Sequence, residues 1–348
     1  MLEITDIPID GYEEVRRCID AERGLHAIIA VHSTTLGPAL GGMRMWNYGS
    51  EAEALTDVLR LSKGMTYKAA CAGLDLGGGK SVILADPAAK SEDLFLAMGE
   101  FVESFGGRYI TAEDVNTKPA DLQIVARRTN HVTGLAARSG NPSPYTAHGC
   151  FLGLKATAAV ALGSEDLEGL TVALEGAGSV GSAYARMIHK AGGRLIVADI
   201  RAEAAAELAA DTGATVVAPK DIYDADCDVF APCALGGSLN GETIPRLRCK
   251  AVVGCANNQL LEPRHGELLR ERGILYAPDF VVNAGGLINV YNEVGTKYDQ
   301  ARALQMMDKI YANLTEIYTI AFDEDLSTAA AADRFAERRL AAAATASA

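Results

Sequence analysis

The chain has 348 residues, of which 49% are hydrophobic and 22% charged, and its formal net charge is −13. A prior of roughly 150 residues per domain predicts two domains, and the composition is that of a globular protein with sizeable cores. The acidic excess disfavours binding to nucleic acid or to an anionic membrane surface. No apolar run approaches the roughly 18 residues that a membrane-spanning helix needs.

The seven cysteines and six histidines are scattered along the chain. The cysteines include no C-x-x-C pair and their number is odd, which favours reduced thiols over disulfides or a zinc site. The N-terminal segment, MLEITDIPIDGYEE, is acidic and lacks the basic start and apolar run of a signal peptide. We therefore expect a cytoplasmic protein without a bound metal.

Short β-like runs and helical runs alternate in the first third of the chain. Two of the helices have a serine suited to capping their first turn, Ser50 and Ser91. GPALGGMRMW is so rich in glycine that it predicts a turn or a strand at a sheet edge. Strands are predicted at LHAIIAVHSTT, KSVILAD and RYITAED.

The segment GLAARSGNPSPYTAHG, residues 134–149, is rich in Gly, Ser and Pro and predicts a hinge. The strand–helix units after it predict a parallel sheet covered on both faces. ILYAPDFVV is predicted to be a strand, and ARALQMMDKIYANLTEIYTIAFDED one long helix. The expected fold is two-domain α/β. One domain takes residues 1–134 with a C-terminal helix at about 325–348, and the other takes residues 135–324.

LTVALEGAGSVGSAYARMI contains the pattern G-x-G-x-x-G at Gly176, Gly178 and Gly181. An apolar strand precedes it, an apolar helix follows, and the next strand ends in Asp199, which is the full context of a dinucleotide-binding fingerprint. The helix N-terminus would bind the pyrophosphate. Because Asp199 would accept hydrogen bonds from the ribose hydroxyls and repel a 2′-phosphate, NAD is expected rather than NADP.

Three polar residues of the first domain are candidates for a functional site: Lys68, Lys80 and Asp114. Lys80 ends GLDLGGGK, where a phosphate loop would require glycine at the position of Leu74, so a phosphate site is disfavoured. A buried unpaired ammonium is costly, which makes a lysine between GGG and SVIL a functional candidate. Each residue alone could equally be a solvated lysine or a helix cap, but the three together favour a site.

Six segments, in order along the chain, resemble motifs of the glutamate/leucine/phenylalanine/valine dehydrogenases: LGPALGGMRMW, GMTYKAACAGLDLGGGKSVI, AEDVNT, GAGSVG, CANNQL and PDFVVNAGG. The resemblance runs from residue 9 to about 325 and is closest to the leucine branch. It implies reversible NAD-dependent oxidative deamination of leucine, valine or isoleucine to the 2-oxo acid and ammonia. It also implies an N-terminal α/β substrate-binding and oligomerisation domain, a Rossmann-type doubly wound NAD-binding domain, and a homo-oligomer, either a dimer or an octamer.

By this resemblance Lys80 polarises the 2-oxo group and acts on the attacking water, Asp114 exchanges protons with the amino group, and Lys68 binds the substrate carboxylate. Further residues are placed against the substrate: Leu40, Gly41, Gly42, Met65, Asn258, Leu287 and Val290. With the fingerprint, the resemblance gives the cofactor set: Arg44, Thr146, Gly176, Gly178, Ser179, Val180, Gly181, Asp199, Ile200, Ala234, Ala256, Asn257 and Asn258. The glycines before Lys80 are expected to leave room for substrate and nicotinamide.

A lysine that acts as a base near neutral pH needs a pKa of about 7–8, and burial and a second cation both lower a lysine pKa. Lys68 is expected to supply that cation. The four pocket residues, Leu40, Met65, Leu287 and Val290, are apolar and favour an aliphatic substrate. A phenylalanine or valine dehydrogenase is the alternative of the same mechanism. An NAD-binding regulator without catalysis is the alternative of another class.

Overall fold

The computed structural model describes residues 1–135, 141–295 and 297–347. The chain forms two compact units: residues 1–140 with 290–298 and 338–348, and residues 141–289 with 299–337. Residues 136–140 of the predicted hinge lie outside the described part of the chain. The last helix contributes residues to both units, whereas the sequence analysis assigned the whole segment from about 325 onwards to the first domain.

The first unit is built on a six-stranded mixed sheet with the order β1-β2-β3-β5-β4-β6. Its strands are β1 (Glu3–Asp6), β2 (Glu14–Asp20), β3 (Leu25–Ser33), β4 (Ala39–Trp46), β5 (Gly77–Leu84) and β6 (Tyr109–Glu113). Strands β1, β2, β3 and β5 pair antiparallel in turn, and β4 pairs parallel with both β5 and β6.

The prediction that GPALGGMRMW forms a turn or an edge strand is wrong, because β4 lies inside the sheet between β5 and β6. Its glycines permit this position. An added Cβ at Gly41 would lie 1.7 Å from the Gly79 carbonyl oxygen, so only a residue without a side chain lets β4 and β5 approach this closely. The glycine content therefore marks a tight strand contact inside the sheet.

Helices cover both faces of this sheet: α1 (Glu51–Cys71), α2 (Glu92–Glu103) and α3 (Pro119–Val125). Val58 of α1 packs with Val82 of β5 on one face, and Phe101 of α2 belongs to the core on the other face. The two predicted caps are confirmed, since the side chains of Ser50 and Ser91 accept hydrogen bonds from backbone N–H groups of their first turns.

The second unit contains a six-stranded parallel sheet with the order β12-β11-β10-β7-β8-β9, which confirms the predicted doubly wound α/β fold. Its strands are β7 (Thr171–Glu175), β8 (Arg194–Ala198), β9 (Thr215–Val216), β10 (Val229–Pro232), β11 (Ala251–Val252) and β12 (Leu275–Tyr276). The helices that follow in the chain are α4 (Ser143–Leu162), α5 (Ser179–Lys190), α6 (Ala202–Thr212), α7 (Arg264–Glu271), α8 (Asp279–Val282), α9 (Gly285–Tyr291), α10 (Gln300–Met307), α11 (Lys309–Asp323) and α12 (Thr328–Ser347). Of these, α9 and α12 each have residues in both units.

Three predicted segments differ from the structure. ILYAPDFVV is a strand only at its start, because Pro278 ends the extended segment and precedes helix α8. The predicted long C-terminal helix divides at Asp308 into α10 and α11. Helix α4 begins at Ser143, inside the predicted hinge. None of the helices in the described ranges has the length and apolar composition that a membrane crossing requires.

Candidate active site

The sheet of the first unit brings Arg44, Lys80 and Asp114 to the same face. Arg44 on β4 lies opposite Val82 on β5, two residues after Lys80, and Asp114 directly follows β6 on the other side of β4. Because residues two apart on a strand share a face, these side chains project to the face on which Val82 packs against α1. Register alone therefore places two cations and a carboxylate side by side.

The three charges are in direct contact. Lys80 Nζ lies 2.8 Å from Asp114 Oδ2, and Arg44 Nε donates a hydrogen bond to the same oxygen at 2.9 Å. The Lys80 side chain is 6% exposed. Buried charges are tolerated where each has a partner, and here one carboxylate oxygen serves both cations.

Asp57 of α1 completes this group, which we call the charge cluster: Arg44, Asp57, Lys80 and Asp114. Arg44 Nη1 donates to Asp57 Oδ2 at 2.8 Å, and the Tyr48 hydroxyl donates to the same oxygen at 2.8 Å. Sequence reasoning missed Tyr48, which precedes α1. It missed Asp57 because an acid inside an amphipathic helix carries no local signal that distinguishes it from a solvated residue.

The pKa values follow from burial and from these partners. Burial lowers the pKa of Lys80, and Arg44 lowers it further, whereas Asp114 opposes the shift. Burial raises the pKa of Asp114, but Lys80 and Arg44 together bring it below its usual value. Arg44 thus acts as a second cation beside Lys80. Lys68, to which the sequence analysis assigned this part, lies half-buried on α1. A lysine with a lowered pKa holds more neutral amine, which is the form that accepts a proton.

The glycine run before Lys80, Gly77–Gly79, is packed against protein. Added Cβ atoms at the three positions would lie 1.9 Å from the Ser33 carbonyl oxygen, 2.0 Å from the Thr66 nitrogen and 2.6 Å from the Tyr109 ring, in that order. The prediction that these glycines leave room for substrate is wrong, since protein atoms fill that space. Their physical role is to let α1, β3 and β6 pack tightly around the strand that carries Lys80.

The residues predicted to contact substrate are divided between the units. Leu40 on β4 is 2% exposed, Met65 is half-buried on α1, and Val290 also belongs to the first unit. Leu287, on α9, belongs to the second unit. An added Cβ at Gly42 would lie 2.7 Å from Asp114 Cβ, so this glycine allows Asp114 to sit against β4.

The fingerprint glycines of the second unit have three different environments. Gly176 has φ +101° and an added Cβ there would lie 2.7 Å from the Ala234 nitrogen, while one at Gly181 would lie 2.1 Å from the Gly176 oxygen. Gly178, at the N-terminus of α5, has open space where a Cβ would stand. A tight turn, a close helix packing and an open backbone at a helix N-terminus fit the pyrophosphate of a dinucleotide.

Asp199 follows β8 beside this turn. Its Oδ2 accepts a hydrogen bond from the Ala177 N–H at 2.7 Å and its Oδ1 accepts one from the Arg201 N–H at 2.8 Å. These two bonds fix the orientation of the carboxylate. Ile200 is 89% exposed, and the predicted cofactor residues Ser179 and Val180 form the first turn of α5.

Two loops of the second unit meet beside Gly176. Ala234 follows β10, and the segment 256–258 follows the neighbouring strand β11. The Gly237 N–H donates to the Asn258 carbonyl at 2.8 Å and links the loops. Asn283 Nδ2 donates to Asn257 Oδ1 at 2.9 Å, a contact that sequence reasoning missed. Thr146 lies on α4. Its hydroxyl oxygen is 2.8 Å from the position that a Cβ added to Gly286 would take.

Comparison with protein families gives two matches along the chain. Residues 13–131 match the Glu/Leu/Phe/Val dehydrogenase dimerisation domain. Residues 197–348 match the glutamate/leucine/phenylalanine/valine dehydrogenase domain. Together the matched segments include Arg44, Lys80, Asp114 and Asp199.

Individual proteins similar to this chain include enzymes of two specificities. A leucine dehydrogenase from Geobacillus stearothermophilus is 53% identical over 94% of the chain and 90% of its own length. An L-tryptophan dehydrogenase from Nostoc punctiforme is 48% identical over 95% of the chain and 94% of its own length. The crystal structure of L-tryptophan dehydrogenase from Nostoc punctiforme superposes with a TM-score of 0.88 at 45% identity, covering 96% of this chain and 97% of that one.

Proposed function

Because the chain belongs to the glutamate/leucine/phenylalanine/valine dehydrogenase family and is therefore an amino acid dehydrogenase, we propose that it deaminates branched-chain L-amino acids, above all leucine, with NAD as oxidant. The amino acid, water and NAD⁺ become the 2-oxo acid, ammonium, NADH and a proton. The charge cluster is the observation that carries this proposal. It combines a buried lysine of lowered pKa with a carboxylate 2.8 Å away, the pair that the hydrolytic half of the reaction requires.

NAD, which the α5 N-terminus and Asp199 would hold, would supply the oxidation by taking the hydride that Cα loses, and the substrate would then be an iminium ion. Neutral Lys80 takes a proton from the water that attacks the iminium carbon, and Asp114 exchanges protons with the substrate nitrogen so that it leaves as ammonia. The contact between Lys80 Nζ and Asp114 Oδ2 lets a proton pass between them. Lys68, on the same helix as Asp57, binds the substrate carboxylate.

Apolar side chains at Leu40, Met65, Leu287 and Val290 support an aliphatic substrate. A methylene group changes binding by only about 1–3 kcal/mol, so leucine, valine and isoleucine should all react. The second candidate is an aromatic amino acid, which the 48% identity to an L-tryptophan dehydrogenase favours. Gly41, Gly42 and Asn258 are proposed to border the substrate in either case.

The fingerprint and the oriented Asp199 support NAD as the nicotinamide cofactor. Asp199 presents its carboxylate to the ribose hydroxyls, and its negative charge disfavours the 2′-phosphate of NADP. The α5 N-terminus, with Gly178, Ser179 and Val180, faces the pyrophosphate. The remaining cofactor contacts are proposed at Arg44, Thr146, Ile200, Ala234, Ala256, Asn257 and Asn258.

The first unit is proposed to bind substrate and to join subunits into a homo-oligomer. Residues 13–131 match a model described as a dimerisation domain, and edge strand β1 exposes all four of its residues, Glu3–Asp6. Unpaired edge strands are ready sites for pairing with another chain. Light scattering coupled to size-exclusion chromatography measures the subunit number, and a monomer at all concentrations would contradict the proposal.

The deciding assay is NADH formation at alkaline pH with leucine, valine, isoleucine, phenylalanine, tryptophan and glutamate, compared by kcat/KM. We expect an aliphatic substrate to lead. If an aromatic amino acid gives the highest kcat/KM, the proposed mechanism stands and the inference of an aliphatic pocket is wrong. If no amino acid reacts while NAD still binds, the chain is a regulator and the proposed reaction is wrong.

A further inference from the structure

Asp57 has no part in the reaction described above, yet its carboxylate is held by three donors. Arg44 Nη1 and the Tyr48 hydroxyl each donate to Oδ2 at 2.8 Å, and Arg60 Nη2 donates to Oδ1 at 3.2 Å. The Asp57 side chain is 15% exposed, whereas that of Arg60 is 64% exposed. The strongest contacts of Asp57 are therefore directed inwards, towards the charge cluster.

Arg44 is the member of the cluster that connects Asp57 to the reacting groups. Its Nε bonds Asp114 and its Nη1 bonds Asp57, so two carboxylates fix the plane of one guanidinium group. These partners come from separate places, the end of β6 and the middle of α1. If Asp57 were removed, Asp114 alone would orient the group.

A second carboxylate becomes necessary when Asp114 takes up a proton. At that moment Asp114 loses its charge and Arg44 would be left as a largely buried cation without an anion, which is costly. Asp57 does not exchange protons with substrate, and its carboxylate is paired with Arg44. Arg44 can then remain in place through the whole proton cycle.

We propose that Asp57 is a positioning residue that, together with Tyr48, holds Arg44 so that its Nε stays on Asp114 throughout turnover. This inference rests on the proposed function for the roles of Lys80 and Asp114. It adds that the geometry of the proton-transferring carboxylate is set from helix α1, through an arginine, by residues that do not touch the substrate.

The test uses three variants of the full-length enzyme. Asp57→Ala removes both the charge and the hydrogen bonds, and kcat should fall about tenfold while KM for the amino acid changes no more than about twofold. Asp57→Asn keeps an oxygen that can accept from Arg44 but not the charge, and should recover only part of kcat. Tyr48→Phe removes one bond to Asp57 and should give a smaller loss than Asp57→Ala.

The pH profile separates positioning from mere structural support. The charged groups around Lys80 are Asp114, which follows β6, Arg44 on β4 and Asp57 on α1. The negative charge of Asp57 raises the pKa of Lys80. Asp57→Asn removes this charge, so the acid limb of kcat/KM should move to lower pH. A residue that only supported the fold would leave the limb unchanged.

Glu51→Ala is the matched control. Glu51 lies on the same helix and its carboxylate pairs with an arginine of a neighbouring strand, Arg17, at 3.3 Å, away from the charge cluster. Its kcat and its pH profile should equal those of the wild type. Wild-type kcat and an unmoved acid limb in both Asp57 variants would overturn the inference.

A crystal structure of Asp57→Ala tests the positioning role independently of activity. We expect the Arg44 guanidinium to have left Asp114 or to occupy more than one position there. If Arg44 Nε still bonds Asp114 as in the wild type, the inference is wrong. A wild-type protein that does not oxidise amino acids would refute the proposed function, and the crystal structure would still show whether Asp57 holds Arg44 in place.

Discussion

The glycine run Gly77–Gly79 of the first unit and Gly178 of the second unit have opposite physical environments. In the first unit, an added Cβ at any of Gly77–Gly79 would collide with strand, helix or ring atoms at 2.6 Å or less. In the second unit, an added Cβ at Gly178 would meet no atom within 4 Å. Gly77–Gly79 brings protein against protein, whereas Gly178 leaves the backbone at the N-terminus of α5 open, where we propose that the pyrophosphate binds.

The chemistry of the two regions differs in the same way. The first unit presents charged side chains brought together from β4, β5, β6 and α1, whereas the second presents backbone N–H groups and one carboxylate around a single turn. A reaction that moves protons needs side chains of adjusted pKa. Binding of a pyrophosphate needs a helix N-terminus. We therefore expect catalysis and cofactor binding to respond separately to mutation.

The largest effect should come from Lys80→Ala. Loss of a general base typically costs 10²–10⁴-fold, so kcat should fall by about a thousandfold, while the Kd for NAD, measured by titration calorimetry, stays the same. Lys90→Ala is the control, since Lys90 also pairs with an aspartate, Asp121, at 2.5 Å in the first unit. Substantial turnover in Lys80→Ala would remove Lys80 from its role.

Gly77→Ala tests the packed glycine run. The new Cβ would lie 1.9 Å from the Ser33 carbonyl oxygen, and overpacking of this kind lowers the free energy of unfolding by about 1–3 kcal/mol. Urea denaturation followed by circular dichroism measures it. An unchanged unfolding midpoint would mean that β5 and β3 can separate freely, and the comparison between the segments would fail.

Gly178→Ala is the counterpart in the second unit. Its φ of −74° suits alanine and the site is open, so the free energy of unfolding should change by less than about 1 kcal/mol. A methyl group between the backbone and the pyrophosphate should weaken NAD binding by about tenfold, or about 1.4 kcal/mol. Unchanged NAD affinity would show that the cofactor does not approach this turn.

The two regions also differ in how far the sequence predicted them. The fingerprint is local, because strand, turn and helix follow one another within about twenty residues, and its three glycines have the environments expected of them. The charge cluster is not local. Arg44 and Asp57 meet only because β4 lies inside the sheet, and the glycines that put it there made the sequence look like a turn. Asp57 could not be found without the correct strand order.

The pH dependence of kcat/KM tests the burial of the charge cluster. Since burial lowers the pKa of Lys80 and the neutral amine is the base, deamination should rise with pH through a value below the ordinary lysine pKa of about 10.4. The pH at the midpoint of this rise should also change strongly with temperature, because the pKa of an amine does so and the pKa of a carboxyl group does not. A limb at or above about 10.4 would show that Lys80 is effectively solvated during turnover.

The smallest effect we predict concerns the carboxylate of the second unit. Asp199→Asn keeps an oxygen that can accept from the Ala177 N–H, which Asp199 Oδ2 now does at 2.7 Å, but removes the charge that disfavours a 2′-phosphate. The NAD:NADP ratio of kcat/KM should narrow by about tenfold or less, with kcat on NAD little changed. Asp211→Ala, which breaks an exposed ion pair with Arg186 in the same unit, is the control. Because the change is confined to charge, a narrowed ratio with intact stability would assign cofactor choice to Asp199 itself. An unchanged ratio would place that choice elsewhere in the second unit and refute the ribose assignment.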